Sequence, residues 1–372
     1  MKAWPVLGIF LIQVILSVAH WFLFHTLICF WPGLGPSAVS GLRITLLILS
    51  FTFTAASLLS FRFWNRAIEL FYRFASLWLG FAHFFFLAAC AIWPVWYAVR
   101  AAAPAEAAAA RPLLGGGFLL AAMATGIYGL VNAYRVRVRR IAVRLPDLPE
   151  GWRGRRAVLM SDLHLGNVKG AGFARRMVAL AQSLDPHIVF LPGDVFDGTQ
   201  ADLDRLVAPF KELRPPFGVY FATGNHEEFH DTKEYLAAIR RTGIRVLANE
   251  RVTVDGLHVL GITYHEATYP QRVRATLEQL RAGADGASIL LNHAPVRLPI
   301  VEEAGVSLQV SGHTHGGQMI PFSWLTRRIF GPFTHGLHPF GKLLVYTSTG
   351  AGTWGPPLRV GTEPEIVVMT FE

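Results

Sequence analysis

Five short clusters in the second half of this 372-residue sequence gather side chains that bind metals and move protons. They are Ser161-Asp162-Leu163-His164-Leu165-Gly166, Gly193-Asp194-Val195-Phe196-Asp197, Gly224-Asn225-His226-Glu227, Asn292-His293-Ala294-Pro295 and Gly312-His313-Thr314-His315-Gly316-Gly317-Gln318. Carboxylate, imidazole and amide donors without a thiolate suit Mn2+, Fe2+ or Zn2+ better than a soft metal. Asp-x-His and His-x-His place two donors on one face of an extended segment. The glycines let the backbone turn tightly and approach a metal or phosphate closely. Each cluster alone is weak, since a lone histidine is more often structural than a ligand. Five of them in series are a different matter, provided the fold can bring them together.

The elements that would do so are legible from residue 135 onward, where short β-rich runs alternate with helical stretches, the pattern of an α/β domain. Strands are expected at residues 157–160, 187–191, 218–222, 245–248, 257–262, 288–291, 308–310, 343–347 and 365–370. Helices are expected near 173–184, 203–213 and 232–241, the last capped by Asp231 and ended by Gly243. Each cluster follows one of these strands. In open α/β sheets, sites form at the carboxyl ends of strands, so clusters far apart in sequence can meet in one crevice.

With this order of residues the sequence resembles the calcineurin-like metallophosphoesterase superfamily, whose pattern is D-x-H, G-D-x-x-D, G-N-H-[DE], H and G-H-x-H. The likeness runs over residues 135–372, and its lead-in and Gly-His-Thr-His-Gly-Gly-Gln ending are similar to a bacterial membrane-associated branch. Some members of that branch act on phosphodiesters or on UDP-diacylglucosamine. The resemblance implies a β-sandwich flanked by helices and a site for two divalent metal ions. By position, Asp162, His164 and His315 would hold one metal, Asn225, His293 and His313 the other, and Asp194 would bridge them. His226 matches a histidine beside the phosphate that is not a ligand and can donate a proton to the leaving oxygen. Asp197 is expected to orient a metal ligand by hydrogen bonding. Arg359 and His335 are weaker candidates that solvent could equally explain.

The first half of the chain is different. Hydrophobic residues make up 52% of the sequence and charged ones 16%. Between Met1 and Tyr134 the only charges are Lys2, Arg43, Arg62, Arg66, Glu69, Arg73, Arg100, Glu106 and Arg111. Four runs, residues 6–31, 44–61, 74–99 and 112–134, approach or exceed the roughly 20 apolar residues a bilayer-crossing helix needs. The Ala-rich stretch 101–110 reads as a loop or interfacial segment. The expected organisation is therefore a membrane domain over 1–134 and a phosphoesterase domain over 135–372. Gln13, His20, His25 and His83 lie within the spans and read as hydrogen-bonding residues between helices at least as readily as functional ones. Cys29 and Cys90 are the only cysteines, so the second half has no disulfide framework and fits a reducing compartment.

The net charge of +9 admits a nucleic-acid partner. Much of the excess, however, sits at 62–73 and 135–144, flanking apolar segments. By the positive-inside rule this favours a cytoplasmic catalytic domain, with the lipid bilayer as partner and no nucleic acid. The expected function is a membrane-bound phosphoesterase using a metal-activated water, with amphiphilic molecules among its candidate substrates. The aromatic residues and arginines of 321–340 would suit a rim that touches an acyl chain, or they could pack beneath a loop. The competing function is a sensor or transporter-associated protein with a non-catalytic domain, against which the intact donor set argues.

Overall fold

The computed structural model describes residues 3–229, 232–281 and 285–372; the cap expected at Asp231 lies outside them. The chain divides into two compact units, Met1–Val131 with Gly355–Leu358, and Asn132–Trp354 with Arg359–Glu372.

The first unit is built on four long helices: α1 (Ala3–Phe30), α2 (Pro36–Ser60), α3 (Arg66–Ala102) and α4 (Ala107–Tyr134), whose last turn enters the second unit. All four are long and apolar enough to cross a membrane. Leucines, phenylalanines and isoleucines stand exposed along them, as a lipid-facing surface requires. Several polar groups pair with backbone or with a neighbouring helix. Trp78 donates to His20 Nε2 at 3.0 Å, and Gln13 donates to the Ser50 carbonyl at 3.2 Å. The second span is longer than its apolar run because Pro36 opens it at a position where the missing N–H costs nothing. The stretch 101–110 is not one loop: residues 101–102 and 107–110 are helical, since alanine is the best helix former and only Pro104 breaks the run.

The second unit holds β1 (Arg137–Val143), β2 (Arg156–Leu159), α5 (Ala171–Ser183), β3 (Ile188–Pro192), α6 (Leu203–Val207), β4 (Val219–Ala222), α7 (Thr232–Arg240) and β5 (Arg245–Val246). It continues through β6 (Glu250–Val254), β7 (Leu257–Gly261), α8 (Tyr264–Thr268), α9 (Pro270–Arg281), β8 (Ser288–Leu291), α10 (Leu298–Glu303) and β9 (Leu308–Ser311). It ends with α11 (Phe322–Phe330), β10 (Gly336–Phe340), β11 (Leu343–Thr347) and β12 (Glu365–Phe371). Two six-stranded sheets form, in the orders β1-β12-β2-β3-β4-β5 and β10-β11-β9-β8-β7-β6. Strands β2 to β5 run parallel, as do β7, β8, β9 and β11. Their middle members, such as Ile188–Pro192, are buried on both faces and read as unbroken apolar runs, as parallel strands covered on both sides do.

Leu159, Phe190 and Ala222 of the first sheet share one core with Val259, Leu291 and Val310 of the second. The sheets therefore pack face to face. Helices α5, α6 and α7 cover the outer face of one, and α9 and α10 that of the other. This is the helix-flanked β-sandwich expected, and it sets the carboxyl ends of β2, β3, β4, β8 and β9 beside one another. The Arg-rich segment 135–144 becomes strand β1, not a simple membrane flank. It pairs in parallel with β12, and Arg137 and Arg139 meet Glu363 at 3.2 and 3.8 Å.

Candidate metal centre

Strand β2 delivers Asp162 and His164, β3 Asp194, β4 Asn225 and His226, β8 His293, and β9 His313 and His315. Five of these residues sit in left-handed backbone: Asp162 (φ 52°), His164 (48°), Asp194 (51°), His313 (70°) and His315 (49°). Such conformations are uncommon in non-glycine residues and gather where surrounding structure over-determines the backbone, often at functional sites. The turns are packed tightly enough that neighbours must be glycine. A Cβ on Gly224 would collide with the Asp194 carboxylate, and one on Gly312 with Asp162.

The residues expected as ligands converge in two groups, with Asp194 facing both, and a further group joins His164, Asp194 and His226. In the first, His164 Nε2 and His315 Nε2 lie 3.0 Å apart, and Asp162 Oδ1 is 3.6 Å from His315 Nε2. In the second, His313 Nδ1 stands 2.9 Å from Asn225 Oδ1 and 3.3 Å from His293 Nε2. Asp194 Oδ2 is 3.8 Å from His164 Nε2 and 3.1 Å from His293 Nε2, and so faces both. All seven residues expected as ligands are thus gathered, and each group supplies at least three donors close enough to hold a metal.

The electrostatics fit a cationic guest. Asp162 and Asp194 are fully buried, and among the described residues neither forms an ion pair with a lysine or arginine. Burial pushes the Asp162 carboxyl up. Burial would also raise Asp194, but the charge and hydrogen bond of His293 hold it well below the usual carboxylate range. Burial would likewise lower His293, yet Asp194 and Asp162 raise it. Burial holds His164, His313 and His315 below the ordinary imidazole range, neutral with lone pairs available. Two buried carboxylates among imidazoles, three of which burial keeps neutral, are a donor set that fits a pair of divalent ions.

The pins that hold these donors are in part those expected and in part not. His293 donates Nδ1–H to the Pro192 carbonyl at 2.7 Å, which turns Nε2 inward. His226 donates Nδ1–H to the Asp197 carbonyl at 2.8 Å, leaving its Nε2 3.9 Å from Asp194. Asp197 was expected to orient a metal ligand through its carboxylate. That carboxylate instead accepts from Thr199 N at 2.8 Å and Asn167 N at 3.3 Å, bracing the loop, and it is the main-chain carbonyl that serves His226. A Cβ at position 166 would collide with this carboxylate, so glycine there leaves it the room to make these bonds. Arg359 is fully buried, not solvated. Its guanidinium stands 3.1 Å from His315 Nδ1 and donates to the carbonyls of Thr349 and Gly352, both at 2.7 Å. His335 is exposed at the start of β10 and belongs to neither group.

Glu227 is the residue whose role sequence reading missed. Its buried carboxylate accepts from the backbone N–H groups of Asp194 (3.0 Å), Phe196 (3.0 Å) and Gly224 (2.8 Å), and so ties the β3 turn to the β4 turn. The fourth place of Gly-Asn-His-Glu was visible in sequence, but not the three amides it serves. Glu227→Gln replaces one acceptor with a donor facing an N–H. Metal affinity should fall by about 10–100-fold, the range for losing a group that supports a ligand. Calorimetric titration with Mn2+ checks this, and an unchanged affinity would remove Glu227 from the scaffold.

Around the donors stand aromatic walls. Tyr264 lies 5.8 Å from the His313 ring and 6.0 Å from that of His293. Phe229 and Trp354 flank His226 at 4.6 and 6.1 Å.

The likeness to known proteins agrees with this geometry. Residues 155–317, which contain every donor named above, match the calcineurin-like phosphoesterase family. The chain is 30% identical over 239 residues to an uncharacterized metallophosphoesterase of Campylobacter jejuni, covering 63% of each. It is 32% identical over 256 residues to the transmembrane protein with metallophosphoesterase domain of Danio rerio, covering 64% of this chain and 58% of that one. An Aquifex aeolicus metallophosphoesterase is 29% identical over 257 residues, 68% of this chain and 97% of its own. The chain therefore spans about three fifths of the first two relatives. Among solved structures, the 5'-nucleotidase precursor of Thermus thermophilus aligns at 16% identity and a TM-score of 0.37, over 58% of this chain and 54% of its own. The sequence pattern, the two donor groups and the matched span together make residues 155–317 a domain of the calcineurin-like phosphoesterase family.

Proposed function

We propose that this chain is a membrane-anchored phosphoesterase that hydrolyses a phosphodiester or pyrophosphate bond, with an amphiphilic molecule such as UDP-diacylglucosamine as the substrate type. The observation that carries the reading is Asp194, one carboxylate shared by two converging donor groups. Asp162, His164, His315 and Asp194 would hold one divalent metal, and Asn225, His293, His313 and Asp194 the other. Bound there, the two ions supply a more acidic water and positive charge against the phosphoryl oxygens. The protein's own part is placement. His226, oriented by the Asp197 carbonyl, presents Nε2 to the site and can donate a proton to the leaving oxygen. Phe229 and Trp354 flank its ring at 4.6 and 6.1 Å.

An amphiphilic substrate is supported by α11. Of the aromatic residues in 321–340, Phe333 and Phe340 pack on the core, and Phe330 lies 6.3 Å from the ring of His313. The outward side of α11 is different: Trp324, Leu325 and Ile329 are 71%, 56% and 65% exposed, beside Arg327 and Arg328. That face suits an acyl chain next to an anionic head. Full-length protein should prefer a phosphodiester lipid in vesicles over its soluble headgroup analogue in kcat/KM. The Trp324→Ser, Leu325→Ser, Ile329→Ser triple variant should lose at least about 10-fold of that preference, or ~1.4 kcal/mol. Equal efficiency on both substrates, unchanged in the variant, would mean that the anchor merely localises a general phosphoesterase.

We place the catalytic unit in the cytoplasm on the strength of the basic residues near the apolar helices. A reporter active only in the cytoplasm, fused after Glu372, should give signal. Signal only from a reporter that requires export would reverse the topology.

A further inference from the structure

The loop after Asp162 and His164 carries a cation that the metal centre does not use. Lys169 has a fixed backbone: its carbonyl accepts from Gly166 N–H at 2.8 Å, and it bridges Leu165, which in turn bridges Phe196. Its Nζ lies 5.0 Å from the centre of the Phe173 ring, in the first turn of α5. Arg176, one turn further along, has its guanidinium carbon 5.7 Å from the same ring and 4.1 Å from that of Tyr134. Two cations thus share one aromatic ring. The N-terminus of α5 adds partial positive charge, with no side-chain cap and no acid in its first turn.

Among the described residues, neither Lys169 nor Arg176 forms an ion pair, and the polar contact of Arg176 is to the Tyr134 carbonyl. Two buried acids of this unit are engaged elsewhere: Asp197 by Thr199 and Asn167, Glu365 by Tyr346 and Thr349. Burial first, and then the like charges of Arg359 and Arg176, bring the Lys169 ammonium down to about 8. Arg359 is the same guanidinium that touches His315, so this positive region borders the metal centre. A partly buried lysine facing like charges is unfavourable unless an anion offsets it.

We propose that Lys169, Arg176 and the N-terminus of α5 form an anion subsite for a phosphoryl group beside the metal centre. It would hold either a second phosphate of a soluble ligand or the phosphate of a lipid headgroup; Tyr134, on which Arg176 stacks, is the last residue of the fourth apolar helix. The phosphoryl identity rests on the phosphoesterase reading, but the subsite can be tested without turnover.

The chain has five lysines, at positions 2, 169, 211, 233 and 342, so each can be followed by mass spectrometry. Full-length protein, chelator-treated and reconstituted in phosphatidylcholine nanodiscs, is labelled with a trace amine-reactive reagent. One arm adds inorganic phosphate; the other replaces part of the lipid with phosphatidic acid. Labelling of Lys169 should fall by about five-fold when the probe reaches roughly four times its Kd, while Lys211 and Lys342 stay constant. Protection by free phosphate assigns the subsite to a soluble phosphoryl group, and protection by phosphatidic acid alone to a headgroup. Arg176→Gln should weaken the protection several-fold and Arg176→Lys should restore part of it. Labelling of Lys169 that neither probe alters, or protection undiminished in Arg176→Gln, would overturn the subsite whether or not the chain hydrolyses phosphoesters.

Discussion

Asp194→Asn should abolish phosphoester hydrolysis and strip metal from the chain while leaving the fold intact. The fold survives because the asparagine oxygen can still accept from His226 N–H, a bond of 2.9 Å in the native protein. What is lost is the one negative charge that faces both donor groups, at 3.8 Å from His164 and 3.1 Å from His293. Metal-derived charge stabilisation of a transition state is worth several kcal/mol, so activity should fall by about 10³-fold or more. Bound metal should drop from two equivalents to one or none. Near-normal turnover with two metals retained would show that Asp194 is not the shared ligand.

His226→Ala should separate catalysis from metal binding. His226 Nε2 lies close enough to Asp194 and His164 to complete a donor group of its own, so geometry alone permits a ligand role. Its Nδ1–H, however, is held by the Asp197 carbonyl, and Phe229 and Trp354 frame its ring, an arrangement that orients a proton donor toward a substrate. Bound metal should therefore stay at two equivalents while kcat falls by about 10²–10⁴, the range for a lost acid–base group. Elemental analysis beside steady-state kinetics makes the comparison; loss of one metal equivalent would move His226 into the ligand set.

Much of this architecture was legible because the strands that carry the donors are apolar runs ended by glycine and a polar side chain. Residues 157–160, 187–191, 218–222, 288–291 and 308–310 coincide with β2, β3, β4, β8 and β9 to within a residue or two. What stayed hidden depends on distant partners. Strand β1 is rich in arginine and looked like a membrane flank, and it becomes a strand through pairing with β12, more than 200 residues later. Helix α9 is predominantly polar and buries only Val273, Leu277 and Leu280, a stripe too thin to stand out. The helix expected at 203–213 is split after Val207, where Pro209 forces a tighter turn. In the site, residue types announced the donors, whereas the orienting bonds did not. Glu227 acts on three backbone amides, Asp197 serves His226 through its carbonyl, and Arg359 is buried against His315, relations that only the assembled backbone creates.

The most direct test of the two-metal phosphoesterase is a metal titration of the full-length chain after chelator treatment, following bound Mn2+ and hydrolysis of a chromogenic phosphodiester in the same samples. The account predicts no hydrolysis by the stripped protein, and a rate that rises with Mn2+ and saturates as two ions per chain are bound. Undiminished hydrolysis by the metal-free chain, or a chain loaded with two ions that cleaves neither phosphodiester nor pyrophosphate bonds, would contradict it.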